Sequence, residues 1–85
     1  MIVSAVVYIT TKDNQQFEIP CHRHGDAFYI ISQFFKVDEI DKTKTIQGFL
    51  DENGKFMNRI EAKRHAFTCG QVQEYVGELY SEDLW

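Results

Sequence analysis

Residues 48–71 read GFLDENGKFMNRIEAKRHAFTCGQ and carry the strongest local signals in the chain. Asn53-Gly54 is a typical tight-turn pair, and short apolar runs lie on both sides of it, which predicts a β-hairpin. Asn58 then precedes a helical pattern, and Glu61 follows three residues later. This is the spacing of a capping box, in which the Asn side chain accepts an unpaired amide and the Glu side chain reaches back.

The helix that follows is expected to run from about Arg59 to Cys69, with Gly70 as its left-handed terminator. Arg59 lies in the first turn, where a cation opposes the helix dipole. Something must compensate this charge. A bound anion is one candidate, and it makes Arg59 the first candidate ligand-binding residue.

The amino-terminal part predicts a second hairpin. Residues 2–10 are rich in β-branched side chains and read as a strand. Residues 12–15 form a polar turn, and residues 17–19 alternate apolar and polar as a half-buried partner strand. Pro20 is expected to end that strand, because it has no amide to donate.

Residues 27–35 place apolar side chains at helical spacing, and Gly25-Asp26 suits a cap before them. Residues 38–45 are charged, and Ile40 is the only apolar side chain among them. This segment is predicted to be a surface loop, anchored by Ile40.

The predicted order of elements is ββαββα, in one domain covering residues 1–85. Residues 46–50 and 55–57 supply the second pair of strands, while residues 71–80 fit either a helix or a strand. The fold class is therefore α+β, a small antiparallel sheet with two or three helices packed on it.

Composition and charge limit the functional classes. The net charge is −4; residues 1–70 carry nine basic and nine acidic side chains, and residues 71–85 carry four acids and no base. A neutral body with an acidic tail argues against DNA or RNA binding, which needs a basic stripe. No apolar run is long enough for a membrane span, and no leader pattern is present, so a cytoplasmic location is expected.

Catalytic and metal signals are weak. Cys21 and Cys69 are too far apart for a CxxC site, and buried or half-buried free thiols are the expected state. A zinc site could be assembled from the ligand types present, but the spacing matches no known pattern. Its ligands would be His22, His24 and Asp26 with His65 and Cys69. No nucleophile has an evident base, so we expect a protein without enzymatic activity, metal or cofactor.

An anion site has two possible halves. Arg23 and His24 precede the first helix, and Arg59 opens the second; both helix starts present free amides that suit phosphate. The alternative is that these side chains reach solvent or pair with Asp26 and Glu61. The sequence leaves both interpretations open.

Four segments resemble a group of short phage-encoded proteins: RHGDAFYI, QGFLDENGKFMNRIEA, GQV and LYSEDLW, which together span roughly residues 22–35 and 46–85. The group has an RHxD start to the first helix, a GFxxxxGRFxxRxEA block, a Gln after the second helix and an SEDLW-like tail. This chain departs at Lys55, where Arg is usual, and at Asn58, where Asp is usual. Both changes keep the charge type or the capping ability.

The resemblance implies a phage accessory protein. Among such proteins are small oligomers that capture cyclic ADP-ribose or cyclic oligonucleotide messengers of bacterial defence, and the chain resembles the anti-Thoeris sequestering proteins among them. The implied ligand-binding residues are those in the shared motifs: Arg23, His24, Asp26, Phe49, Asn58, Arg59 and Gln71. The alternative is an interaction module that blocks a host protein through its acidic, aromatic tail, and a small hydrolase is a third possibility.

The same tail predicts self-association. Leu79-Tyr80 and Leu84-Trp85 are apolar, and little chain remains to cover them. Docking them on a neighbouring subunit would bury the aromatic rings, so a homo-oligomer is expected.

Overall fold

Four strands and two α-helices make up the fold. The computed structural model describes the backbone of residues 1–85 and every side chain except that of residue 37. The elements are β1 Ile2–Thr10, β2 Gln16–Cys21, α1 His24–Phe34, β3 Ile46–Asp51, β4 Phe56–Met57 and α2 Arg59–Thr68. Three short 3-10 helices accompany them, at Val37–Glu39, Lys42–Lys44 and Ser81–Asp83. The predicted α+β class is confirmed.

The sheet is antiparallel with strand order β2-β1-β3-β4. The long β1 is central, and its Val7 lies opposite Ile19 of β2 and Gln47 of β3. Its β-branched sequence suits this position, because both edges of the strand are paired and the side chains pack on a pleated surface.

Both helices lie on one face of the sheet, and alternate residues of β1 point towards them. Ala5 packs in a cluster with Ala62 and Ala66 of α2. Val7 and Ile9 pack in a second cluster, with Ala27 and Ile31 of α1. The small alanines let each helix approach the strands closely, so each helix has its own part of the core.

The local signals of α2 are confirmed. Asn58 Oδ1 accepts the amide of Glu61 at 2.8 Å, and Glu61 Oε1 accepts the amide of Asn58 at 3.2 Å, which completes the capping box. Gly70 follows the helix with φ of 77°, the left-handed conformation expected of a terminator.

Two local predictions need correction. β2 continues through Pro20 to Cys21, because β2 is an edge strand and the missing amide costs no ladder bond there. Helix α1 begins at His24, with Arg23 as its N-cap. It therefore starts before Gly25-Asp26, and these two residues lie in its first turn.

Segments 38–45 and 71–80 also differ from expectation. The first is not a simple loop: it contains 3-10 turns, and its Ile40 forms an isolated β-bridge with Thr11, the residue after β1. Ile40 packs against the α1 cluster, as an anchor should. The second is neither a helix nor a strand. Gly77 has a φ of 104° there, a conformation that continues neither element.

Gly48 in β3 permits the close packing of the second hairpin. A β-carbon at this position would overlap the ring of Phe56 and the main-chain oxygen of Met57. Only glycine fits, because one of the obstacles is backbone and cannot rotate away.

Candidate ligand-binding cleft and the seat of the tail

The carboxy-terminal segment Leu79–Trp85, here called the tail, packs on its own chain. Leu79 is 0% exposed and belongs to the α2 cluster with Phe49, and Leu84 and Trp85 are half-buried against that cluster. Leu79 is therefore covered without a second subunit and Leu84 and Trp85 are partly covered, whereas Tyr80 is 47% exposed. The homo-oligomer stays a prediction.

Arg59 holds the start of the tail. Its Nη1 donates to the main-chain oxygen of Leu79 at 2.9 Å, and its Nη2 donates to Oε1 of Gln47 at 2.8 Å. The amide of Leu79 donates back to the carbonyl of Arg59 at 2.9 Å. The guanidinium also lies 5.0 Å from the ring centre of Tyr80, within cation–π range. Carbonyl and amide oxygens of the chain thus compensate the cation at the helix start.

His24 holds the middle of the tail and is only 6% exposed. Its Nε2 lies 2.9 Å from the main-chain oxygen of Gly48, which can only accept, so Nε2 carries the proton. Nδ1 is then free to accept from the hydroxyl of Ser81 at 3.3 Å. Burial lowers the pKa of His24, and the nearby cation Arg59 lowers it further, against opposing effects of the Gly48 carbonyl and Glu82.

Arg23 and His22 hold the end of the tail. Nη2 of Arg23 donates to the main-chain oxygen of Trp85. The ring of His22 stacks on Trp85 with 5.2 Å between the ring centres and 18° between the planes. The two basic helix starts therefore both contact the tail, and the acceptors that they meet are oxygens of the chain itself, in the tail and in β3.

The other predicted ligand residues have different surroundings. Phe49 is fully buried in the core, edge-on to His24 at 5.1 Å. Asn58 is the helix cap. Gln71 makes two hydrogen bonds with the backbone of Ile2, at 2.7 and 3.0 Å. Only Asp26, which is exposed, has no side-chain hydrogen bond among the described residues. A ligand role for any of the seven stays a prediction.

A cleft of about 480 Å³, here called the α1 cleft, opens between α1, β3 and the segment before β3. Its apolar wall is formed by Ile9, Phe28, Ile31, Phe35 and Ile40. Its polar groups are Ser32, Lys42, Thr45 and Gln47. An apolar cavity of this size with a few convergent polar groups is typical of small-molecule sites.

Sequence reasoning did not find the α1 cleft. It treated residues 27–35 as a core face and residues 38–45 as a surface loop, whereas the two segments face each other across a cavity. A signal was present in the surplus of apolar side chains on α1. One helix face cannot bury Phe28, Tyr29, Ile30 and Phe34 together with Ile31.

Within the part of the chain that the structure describes, no set of three or more His, Cys, Asp or Glu side chains is arranged to hold a metal ion. No helix of the described residues has the length and apolar character needed to cross a membrane.

Comparisons with known proteins give one family. The family described as Phage T4 y16D protein matches residues 1–85, the whole of this sequence. No curated protein and no solved structure gave a match. The chain therefore belongs to the Phage T4 y16D protein family.

Proposed function

We propose that this phage protein acts by binding and not by catalysis, and that it captures a small nucleotide messenger of the cyclic ADP-ribose or cyclic oligonucleotide type. The supporting observation is the α1 cleft, whose volume and apolar wall suit a nucleobase. The phage family and the resemblance to sequestering proteins supply the biological class of ligand.

The cleft offers distinct places for the two parts of a nucleotide. The rings of Phe28 and Phe35 provide flat apolar surface for a base. Lys42 at the rim is exposed and makes no ion pair among the described side chains, so it is available for a phosphate. The neighbouring Lys44 is 4.0 Å from the carboxylate of Asp41, which partly satisfies its charge.

The test is calorimetric titration with cyclic AMP, cyclic di-GMP and cyclic ADP-ribose. Phe28→Ala and Lys42→Ala should each weaken the binding of the best ligand about 10- to 100-fold, the loss expected for one stacking or one charged contact. The matched controls are Phe34→Ala on the same helix and Lys44→Ala in the same 3-10 turn. Both should bind like the wild type.

Two results would contradict this function. One is the absence of binding to every nucleotide tested. The other is equal loss of affinity in Lys42→Ala and Lys44→Ala, which would indicate only a diffuse attraction of charge.

A second candidate function is the blocking of a host protein. The tail itself is largely occupied within the chain, but an exposed apolar patch remains on the outer side of α2 and the segment after it. It consists of Ile60, Phe67, Tyr75 and Val76, with the Phe67 and Tyr75 rings 5.7 Å apart. Exposed patches of this kind mark interaction sites. Loss of activity in infected cells with Phe67→Asp, and full activity with Phe28→Ala and Lys42→Ala, would favour this function.

A further inference from the structure

Gln47 belongs to two structural units at once. It lines the α1 cleft, and its Oε1 accepts a hydrogen bond from Nη2 of Arg59 at 2.8 Å. Arg59 is in turn fixed by its bond to the main-chain oxygen of Leu79. Gln47, at the edge of the α1 cleft, is thus connected through Arg59 to Leu79, the first residue of the tail.

The contact with Arg59 fixes which way the amide of Gln47 points. A guanidinium can only donate hydrogen bonds, so the atom of Gln47 that faces it must be the oxygen. The Nε2 group, with two N–H donors, is left on the other side. It has no partner among the side chains and backbone atoms that the structure describes. Gln47 therefore presents the two N–H donors of Nε2, because its acceptor Oε1 is already bonded to Arg59.

Because Gln47 presents N–H donors, it favours a ligand with hydrogen-bond acceptors at this place. Purine bases differ in this respect at their major-groove edge: guanine and hypoxanthine present two acceptors, N7 and O6, whereas adenine presents N7 as an acceptor and its 6-amino group as a donor. The 6-amino group would meet the N–H donors of Gln47, whereas a 6-oxo group would accept from them.

We propose that Gln47 selects 6-oxopurine bases, of the guanine or hypoxanthine class, over adenine in the α1 cleft, and that Arg59 is its positioning residue. This inference rests on the proposed nucleotide capture. Within that class of ligands it points to guanine-containing messengers.

The test compares inosine 5′-monophosphate with AMP by calorimetry, because the two bases differ only around position 6. The wild type should bind inosine 5′-monophosphate about 5- to 100-fold more tightly, the range for one discriminating base contact. Gln47→Glu keeps an acceptor for Arg59, so its fold should be retained, but it has no donor and its preference should disappear or reverse. Gln73→Glu, an exposed residue elsewhere with the same change of charge, should keep the wild-type preference.

Arg59→Ala tests the positioning role through the same ratio. Measured well below its melting temperature, this variant should bind both nucleotides with nearly equal affinity, because its Gln47 amide is free to turn. A purely structural role of Arg59 would lower the melting temperature and leave the ratio unchanged.

The outcomes separate the two proposals. If the wild type binds neither inosine 5′-monophosphate nor AMP, and binds none of the cyclic nucleotides above, both proposals are wrong. If it binds nucleotides but shows no preference between the two purines, or if Gln47→Glu keeps the preference, only the role of Gln47 is wrong.

Discussion

The two helices lie on the same face of the sheet, but their outer surroundings differ. Helix α2 is joined by the tail, which adds the fully buried Leu79 to its core. Helix α1 meets the tail only at its start, through His24, and its Phe28, Tyr29 and Phe34 are 42%, 69% and 77% exposed. On the α2 side, polar motif residues stabilise the fold. On the α1 side, apolar residues are left available for binding.

The difference follows from the side chains that reach the sheet. On α1 these are His24, Ala27 and Ile31, a narrow stripe at helical spacing. Ala27 draws the helix close to the strands, and the larger residues to either side of the stripe then cannot reach them. Helix α2 uses Ala62 and Ala66 in the same way, but the tail fills the space beside it.

The largest effect is expected from Leu79→Ala, which should lower the free energy of unfolding by about 2–5 kcal/mol, the usual cost of a cavity in a core. Val76→Ala is the matched control, because Val76 lies three residues earlier and is 79% exposed. Its effect should stay within about 0.5 kcal/mol. Urea denaturation of both variants measures this. Equal midpoints for the two variants would mean that the tail is not part of the core.

Arg59→Ala should lower the free energy of unfolding by about 1–3 kcal/mol, because two hydrogen bonds of a charged donor are lost, one of them near the surface. The helix dipole alone predicts the opposite sign, since a cation is removed from an amino-terminal turn. Arg64→Ala, an exposed arginine of the same helix, is the control. A variant Arg59→Ala that is as stable as the wild type would show that the tail does not need this bond.

The pH dependence of the free energy of unfolding should report the protonation of His24, which contacts Ser81 of the tail. The pKa of His24 is lowered in the folded state by burial, so the unfolded chain takes up the proton more readily. The free energy of unfolding should therefore be level above about pH 6.5 and should fall below it, by at most about 1.4 kcal/mol per pH unit for one proton.

The control for this prediction is the exposed His22, which stacks on Trp85. His22→Gln should keep the slope between pH 6.5 and 5, and His24→Gln should remove it. The pKa values of Asp41 and Asp51 are lowered by hydrogen bonds, so these carboxylates act only at more acidic pH. An unchanged slope in His24→Gln would assign the titration to another group.

The smallest effect is expected on α1. Phe34→Ser should change the free energy of unfolding by no more than about 0.5 kcal/mol, because the ring is mostly in solvent and gains little from the fold. Thermal melts beside those of Leu79→Ala provide the measurement. A loss above about 2 kcal/mol would show that the ring is covered in solution, and self-association through α1 would then be the explanation to test by light scattering.

The parts of the fold that sequence predicts well are those decided by neighbours in the chain. The Asn58–Glu61 box and the terminator Gly70 each depend on residues within one or two turns. The position of the tail on the fold depends on contacts between distant residues, such as His24 and Ser81, which are 57 positions apart. No local sequence pattern contains such contacts. Sequence therefore identified Arg23, His24 and Arg59 as residues that need an acceptor, but it did not identify the acceptor.

The α1 cleft was missed for a related reason. Its walls come from α1 and from residues 40–47, and the bridge between Thr11 and Ile40 is what holds them in place. Residues 38–45 are charged and contain one apolar side chain, a pattern that does not predict such a bridge. The surplus of aromatic residues on α1 was visible in the sequence, but spacing alone did not separate a core face from the wall of a cavity.

The amide of Leu79 donates to the carbonyl of Arg59 and so connects the start of the tail to α2. The tail closes loops of up to 62 residues, and closing such long loops costs chain entropy that the contacts of the tail must offset. We therefore expect the tail to open locally while the sheet stays intact, and hydrogen exchange would detect such openings. Each such opening would leave the Leu79 amide free to exchange with solvent, expose Phe49 and release Gln47 from Arg59.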